Sequence, residues 1–220
     1  MRILSQLSGG YDSTAVMIKL LDEGHTVKGI FFNYGQKYYK QEKRALEYVD
    51  SMLKDSDKYP EYLGYVEIKV SMELTRNNDG SPSDYIPVRN FVLGAMSANY
   101  AIAQGFSTIA VGSKTTEVRK DDPFSFADCS VSFYESMTNV INLASEPGDC
   151  IEFIMPLLKT KSEALTKGEV VQIIDNSILE FQDLWSCYED AELPCGVCYH
   201  CKENIKAFQE AGIEDPIKYQ

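Results

Sequence analysis

Residues 2–18 read RILSQLSGGYDSTAVMI, in which two apolar runs flank a short segment of glycines, hydroxyl residues and an aspartate. The first run, 2–7, predicts a buried strand, and 12–23 predicts a helix because its apolar residues recur at helical spacing. Gly9 and Gly10 allow a sharp turn and close approach of the backbone to a ligand. A helix N-terminus also attracts anions. The stretch therefore predicts a phosphate-binding turn, with a plain strand-to-helix turn closed by a side-chain N-cap as the alternative.

Strands and helices continue to alternate along the rest of the chain. Strands are predicted at 26–32, 65–70, 107–113 and 151–156, and helices at 36–54, 89–104 and 130–144. After 156 the chain is predicted to be helical apart from a cysteine-rich segment. Strands joined through helices favour right-handed crossovers. We therefore expect an α/β fold, a doubly wound, Rossmann-like parallel sheet of the HUP type with five strands and ligands at the carboxyl ends of the strands.

The charge balance limits the classes of partner. A formal net charge of −12 argues against binding to nucleic acid or to an anionic membrane, since both are polyanions. No apolar run approaches the roughly 20 residues of a membrane-spanning helix, and the opening MRILSQL has no signal-peptide pattern. We expect a cytoplasmic protein with no membrane or direct nucleic-acid partner, although a local basic pocket for ATP remains possible.

Four of the six cysteines lie close together near the end of the sequence. Cys195, Cys198 and Cys201 form C-x-x-C-x-x-C, and Cys187 lies just upstream. Four thiolates at this spacing suit a structural, tetrahedral Zn²⁺ site. An iron–sulfur cluster or buried free thiols are the alternatives, and His200 could replace one thiolate. We expect an α/β domain at 1–177 and a helical, zinc-binding lobe at 178–220 packed on it.

These motifs follow a recognisable order. Residues 8–13, SGGYDS, resemble the pyrophosphate loop of the PP-loop ATP pyrophosphatases. With that loop, four further segments resemble the 7-cyano-7-deazaguanine synthase family over nearly the whole chain: FNYGQK at 32–37, YIPVRN at 85–90, the pair DC at 128–129, and the cysteine segment.

The resemblance implies an ATP-dependent C–N ligase that forms AMP. Family members adenylate 7-carboxy-7-deazaguanine and aminate it with ammonia, giving 7-cyano-7-deazaguanine (preQ0) with release of AMP and pyrophosphate. The same resemblance implies ATP and Mg²⁺ as well as structural Zn²⁺, and a homodimer as the usual assembly. The domain at 1–177 would then be the adenylating domain.

The resemblance also implies roles for individual residues. ATP would be bound by Ser8, Gly9, Gly10, Asp12, Ser13 and Thr14. Asp12 would help to hold Mg²⁺, and Asp12, Ser13 and Lys161 would be catalytic, with Lys161 facing the phosphate charge. The acceptor would be bound by Gln36, Arg89, Asn90 and Asp128, and Asp128 would accept hydrogen bonds from its guanine-like edge. Surface pairing, helix capping and simple solvation are the structural alternatives for Arg89, Asp128 and Lys161, respectively.

Other functions remain open on the sequence alone. Departures from the family pattern, such as Asn33 and Ser130, fall among the segments expected to form the acceptor pocket. The enzyme could therefore stop at the amide, or join a deazapurine carboxylate to another amine, including one on a protein. A sulfur-inserting PP-loop tRNA enzyme is a further alternative, which the net negative charge disfavours. A nucleotide-binding partner without catalysis is the last.

Overall fold

The computed structural model describes residues 1–73, 75, 86–116 and 126–220. Five strands form one parallel sheet: β1 (Arg2–Leu7), β2 (Thr26–Asn33), β3 (Tyr62–Lys69), β4 (Thr108–Ala110) and β5 (Glu152–Ile154). Their order across the sheet is β3-β2-β1-β4-β5. The expected doubly wound parallel sheet is confirmed, with β1 at its centre.

Within the described ranges, six helices connect or follow these strands. They are α1 (Tyr11–Asp22), α2 (Tyr39–Lys54), α3 (Arg89–Ala103), α4 (Val131–Ala144), α5 (Lys167–Asp175) and α6 (Tyr199–Ala211). Successive strand residues point to opposite faces of the sheet, so Ile3 packs with α1, α2, α5 and α6, whereas its neighbour Leu4 packs with α3 and α4. Both faces of the sheet are therefore covered, which explains why Ile3, Leu4 and Leu7 of β1 are all buried.

The region after β5 differs from the sequence prediction. A two-stranded antiparallel hairpin, β6 (Leu158–Thr160) and β7 (Glu163–Ala164), occupies part of the segment predicted to be helical, so that prediction is wrong there. The Ser162 N–H donates to the Thr160 Oγ1 at 3.3 Å within the turn. Such a local side-chain bond offers the backbone an alternative to a helix.

The end of the chain belongs to the same hydrophobic core as α1, the helix that begins within the predicted phosphate-binding turn at 8–13, which is called the phosphate turn below. Phe181 and Phe208 pack edge to face with ring centroids 4.8 Å apart, and both contact the Tyr11 ring at the start of α1. This packing fixes α6 beside the carboxyl end of β1. None of the helices in the described ranges combines the length and apolar character needed to cross a bilayer.

Candidate functional site

A cavity of about 380 Å³ opens at the carboxyl ends of the central strands. Its walls come from the loops after β1, β2 and β4, from the starts of α3 and α5, and from the segment between 185 and 204. The polar lining residues used below are Ser8, Asp12, Ser13, Gln36, Glu42, Arg89, Asn90, Lys114, Lys167 and His200. This is the place at which open parallel sheets bind ligands.

Residues 8–13 form a turn held together by its own hydroxyl groups. The Ser8 N–H donates to the Ser13 Oγ at 3.1 Å, and the Ser13 hydroxyl donates to the Gly10 carbonyl at 3.1 Å. Both serines line the cavity, as do Gly10 and Asp12. Thr14 does not line it and is fully buried in α1. The amino end of α1 thus borders the cavity, as expected for an anion site.

Gly9 turns the chain and packs it onto α2. Its φ is +78°, a backbone conformation that side chains with a Cβ rarely adopt. A Cβ at this position would lie 2.9 Å from the carbonyl oxygen of Glu42 and 3.0 Å from the Cβ of Ala45. Gly9 does not line the cavity. Its positive φ and its close approach to α2 require glycine at this position.

Two lysines and one aspartate meet beside this turn. The Lys167 ammonium contacts the Asp12 Oδ2, while the Asp12 Oδ1 is buried without a hydrogen-bond partner in the described part of the chain. Lys114 lines the same cavity; burial lowers its pKa, and the positive charge of Lys167 lowers it further. A polyphosphate would neutralise this pair of cations. The unpartnered carboxylate oxygen fits a hard cation such as Mg²⁺.

Lys161 lies elsewhere. Its side chain is 83% exposed at the β6–β7 turn, where it pairs with Glu135, and it does not line the cavity. The structure therefore does not bring Lys161 to the expected phosphate site and brings Lys167 there instead. The sequence contains the signal: TKSE at 160–163 and TKGE at 166–169 are alternative capping boxes, and only the second begins a helix.

Gln36 lines the cavity, but its side chain is occupied in shaping the loop after β2. Its Nε2 donates to the Phe32 carbonyl at 3.1 Å and to the Glu42 Oε2 at 2.7 Å, and its Oε1 accepts from the Tyr34 N–H at 3.0 Å. These bonds leave Gln36 as a support for Glu42, a buried lining residue that sequence reasoning missed.

Glu42 sits in a poorly solvated environment. Burial raises the pKa of its carboxyl to about 7, although the hydrogen bond from Gln36 and the nearby charge of Arg89 both act to lower it. Burial also raises the pKa of the Tyr34 hydroxyl, and the charge of Arg89 acts to lower it. The cavity therefore contains a second polar cluster, built from β2, α2 and α3, beside the one at the phosphate turn.

Arg89 and Asn90 line the cavity at the start of α3. Val88 precedes them with φ +51°, a strained conformation for a β-branched residue, and so turns the chain into the helix. The Asn90 Nδ2 donates to the Asp128 carbonyl at 3.0 Å and to the Cys129 Sγ at 3.2 Å, and the Asn90 N–H faces the Asp128 Oδ2 at 3.3 Å. Asp128 itself does not line the cavity.

The four predicted metal-binding cysteines converge. The sulfur atoms of Cys187, Cys195, Cys198 and Cys201 all lie within 4.8 Å of one another. Tetrahedral Zn–S bonds of about 2.3 Å place sulfurs about 3.8 Å apart, so the set fits zinc after a small contraction. Backbone N–H groups approach three of the sulfurs at 3.3–3.5 Å, an arrangement that favours thiolates.

His200 does not belong to this sulfur cluster. Its Nε2 lies 2.6 Å from the Tyr188 hydroxyl, and burial lowers the pKa of its imidazole to about 4. The ring is therefore neutral at pH 7. His200 and Tyr188 both line the cavity, so residues 185–201, called the cysteine loop below, supply one of its walls.

Two hydrogen bonds join the cysteine loop to the phosphate turn, one between backbone groups and one from a backbone N–H to a side-chain hydroxyl. The Trp185 N–H donates to the Gly9 carbonyl at 3.0 Å. The Tyr11 N–H donates to the Ser186 Oγ at 3.3 Å. Any change in the fold of the cysteine loop therefore acts directly on the turn at 8–13.

Comparisons with known proteins identify the family of the chain. The family described as "Queuosine biosynthesis protein QueC" matches residues 2–212. A 7-cyano-7-deazaguanine synthase of Methanospirillum hungatei is 29% identical over 230 residues, covering 100% of both chains. One from Clostridium kluyveri is 32% identical, covering 97% of this chain and 96% of the relative. A solved 4-thiouridine synthetase–RNA complex with bound ATP has a TM-score of 0.47 and 14% identity, covering 96% of this chain and 50% of that chain. With a family match over almost its full length, the chain belongs to the QueC family.

Proposed function

We propose that this protein adenylates 7-carboxy-7-deazaguanine with ATP and aminates it with ammonia, giving 7-cyano-7-deazaguanine, AMP and pyrophosphate. The observation that carries the proposal is the contact of Lys167 with Asp12 at the phosphate turn, with Lys114 in the same cavity. This concentrates positive charge in a protein whose net charge is −12. The names of the relatives support the product, 7-cyano-7-deazaguanine.

The phosphate end of the cavity would hold ATP. Ser8, Ser13 and the amino end of α1 would bind the pyrophosphate, and Lys114 and Lys167 would stabilise the negative charge that develops as it leaves. Asp12 would help to hold Mg²⁺, which when bound supplies further charge neutralisation. Catalysis would then depend mainly on positioning, since a carboxylate becomes a good electrophile once AMP is attached to its oxygen.

The other end of the cavity would bind the acceptor. Arg89 and Asn90 line it, and Gln36 shapes the loop beside them. Asp128 would act through Asn90 as a positioning residue, because its carboxylate and carbonyl both face that side chain or its backbone. Ammonia displaces AMP to give the amide, and adenylation of the amide oxygen then permits elimination to the nitrile.

The cysteine loop would have a structural role. Four protein sulfurs complete a tetrahedral shell and leave no position for water. Zinc held by Cys187, Cys195, Cys198 and Cys201 would fix the wall that contains Trp185 and Ser186. We propose no chemical step at this site.

Mass spectrometry of base and nucleotide tests the proposal. The purified protein is incubated with 7-carboxy-7-deazaguanine, ATP, Mg²⁺ and ammonium. We expect nitrile with two AMP for each product molecule. Amide with one AMP would assign the shorter reaction, and AMP formation only when another amine is supplied would assign a conjugating enzyme. Absence of AMP with this acid under all these conditions would contradict the proposal.

A further inference from the structure

Glu42 is a buried carboxylate in the cavity that the proposed chemistry leaves without a task. It lies near the start of α2, with only 8% of its surface exposed, and it lines the cavity. Resting on the proposed function, we propose that Glu42 is the specificity-determining residue that accepts hydrogen bonds from the N1–H and 2-amino group of a guanine-type acceptor.

The surroundings of Glu42 hold its carboxylate in one orientation. The Oε2 accepts from the Gln36 Nε2 at 2.7 Å, and Gln36 is itself fixed by the Phe32 carbonyl and the Tyr34 N–H. The backbone at Glu42 is fixed as well, because the phosphate turn packs against it at Gly9. A carboxylate held from both sides loses little conformational entropy when it binds a ligand.

Hydrogen bonds and ion pairs among the described residues only partly offset the cost of burying the Glu42 carboxylate. Among the described residues, no donor forms a hydrogen bond to the Oε1 of Glu42. The charge of Arg89 acts to lower the pKa of Glu42, but the two side chains form no ion pair within these residues. A carboxylate that is desolvated by burial and has one hydrogen-bond donor among the described residues is costly to ionise. Two N–H donors on one edge of a planar base would supply what is missing, and the raised pKa of Glu42 agrees with this need.

The chemistry of the base edge decides which ligand fits. A guanine-type edge offers two adjacent donors to a carboxylate, whereas an adenine-type edge offers a donor beside a ring nitrogen that only accepts. Glu42 would therefore favour the acceptor and reject the adenine of ATP from this end of the cavity. Asp128 is not placed for this task, because it does not line the cavity and its Oδ2 faces the Asn90 N–H.

The test compares Glu42→Gln with wild type on two acids. One is 7-carboxy-7-deazaguanine, and the other is the same acid without its 2-amino group. Binding of each acid is measured by calorimetry, and AMP formation gives KM for each acid and for ATP. We expect wild type to bind the 2-amino acid about 10- to 100-fold more tightly, and Glu42→Gln to lose most of this preference with the KM for ATP unchanged.

Glu67→Gln is the matched control. Glu67 is a part-buried carboxylate hydrogen-bonded to Lys43 and Tyr39, and it does not line the cavity, so this variant should keep the wild-type preference. A Glu42→Gln protein that retains the preference, or that loses affinity for ATP instead, would overturn the assignment. Calorimetry measures the binding of each acid whether or not the enzyme turns over. Discrimination by Glu42 without any AMP formation would contradict the proposed reaction alone, and wild type binding neither acid would contradict both.

Discussion

The Lys167 ammonium lies against the Asp12 carboxylate, although the two residues are 155 positions apart in sequence. The contact joins the first residue of α5 to the first turn of α1. Lys167 therefore leaves one Asp12 oxygen available and places a positive charge at the turn. The phosphates of a bound ligand could take the place of the Asp12 carboxylate as the partner of the Lys167 ammonium.

Replacement of Lys167 by Met should abolish most ATP cleavage. Its ammonium is one of the two lysine cations beside the phosphate turn and the one in contact with Asp12. Loss of one such charge costs about 100- to 1,000-fold in kcat. The measurement is AMP release with the carboxylate acceptor. Lys161→Met is the matched control, since Lys161 occupies the same position in the other T-K-x-E segment yet pairs with Glu135 at the surface. Equal activity of the two variants would contradict the assignment of Lys167.

Asp12→Asn should leave the fold intact and raise the half-saturating concentration of Mg²⁺. The amide keeps the shape of the side chain but binds a hard cation poorly. We expect AMP release to fall at least about 100-fold. Circular dichroism checks the fold, and a Mg²⁺ titration checks the cause. An unchanged rate and an unchanged half-saturating Mg²⁺ concentration would refute this role.

Cys198→Ser should lose bound metal and weaken ATP binding together. The cysteine loop is hydrogen-bonded to the phosphate turn through Trp185 and Ser186. Loss of order in the cysteine loop should therefore also disturb the phosphate turn. Metal content and ATP affinity measure the two effects, and we expect the melting temperature to fall by more than about 10 °C. Cys150→Ser is the control, because Cys150 is exposed and outside the sulfur cluster.

The single tryptophan of the chain provides a direct signal for that coupling. Trp185 lies between the cysteine loop and the phosphate turn, so its fluorescence should change both on metal chelation and on addition of ATP. Full metal loss without any effect on ATP affinity would show that the two loops are independent.

The stability of Glu42→Gln relative to wild type should rise with pH. Burial raises the pKa of Glu42 from 4.5 to about 7 in the folded state. Wild-type stability associated with this group is therefore fully present below pH 4.5 and is lost as the pH rises through 7. Between pH 5 and pH 8 we expect glutamine to gain about 2 to 3 kcal/mol over glutamate. Urea unfolding of both proteins at both pH values measures the difference. The same difference in the free energy of unfolding at pH 5 and pH 8 would show that burial does not raise the pKa of Glu42.

Gly9→Ala should destabilise the protein more than Gly24→Ala does. Both glycines have φ +78°, so both variants carry the backbone penalty of about 1 to 2 kcal/mol. At Gly24 the added Cβ meets no atom within 4 Å, whereas at Gly9 it meets the Glu42 carbonyl oxygen at 2.9 Å. We expect a further loss of about 1 to 3 kcal/mol in the free energy of unfolding. Equal stabilities would show that the turn does not pack on α2.

The sequence predicts the central strand, the phosphate turn and the cysteine cluster because each depends on neighbouring residues. It overestimates β4, predicted over 107–113, because the apolar pattern continues through Val111 after pairing with β1 ends at Ala110. The residues after β4 line the cavity instead. Strand length in this region is set by the sheet neighbours, which a local pattern does not contain.

Lys167 and Glu42 are not identified from the sequence, for two different reasons. Two T-K-x-E segments compete for the start of α5, and tertiary contact with Asp12 distinguishes them. Glu42 belongs to a helix rich in charged residues, of which the structure buries this one alone. Its inward direction follows from the packing of α2 against Gly9, a contact between distant parts of the chain.

The position of Trp185 and Ser186 also sets the order in which the cavity is assembled. A ribosome makes the turn at 8–13 first and the segment through α6 much later. Until that segment docks, the Gly9 carbonyl and the Tyr11 N–H lack their partners and one wall of the cavity is missing. A nascent chain therefore carries residues 8–13 before the neighbouring wall has folded, and the cavity is complete only once the segment 185–201 has docked.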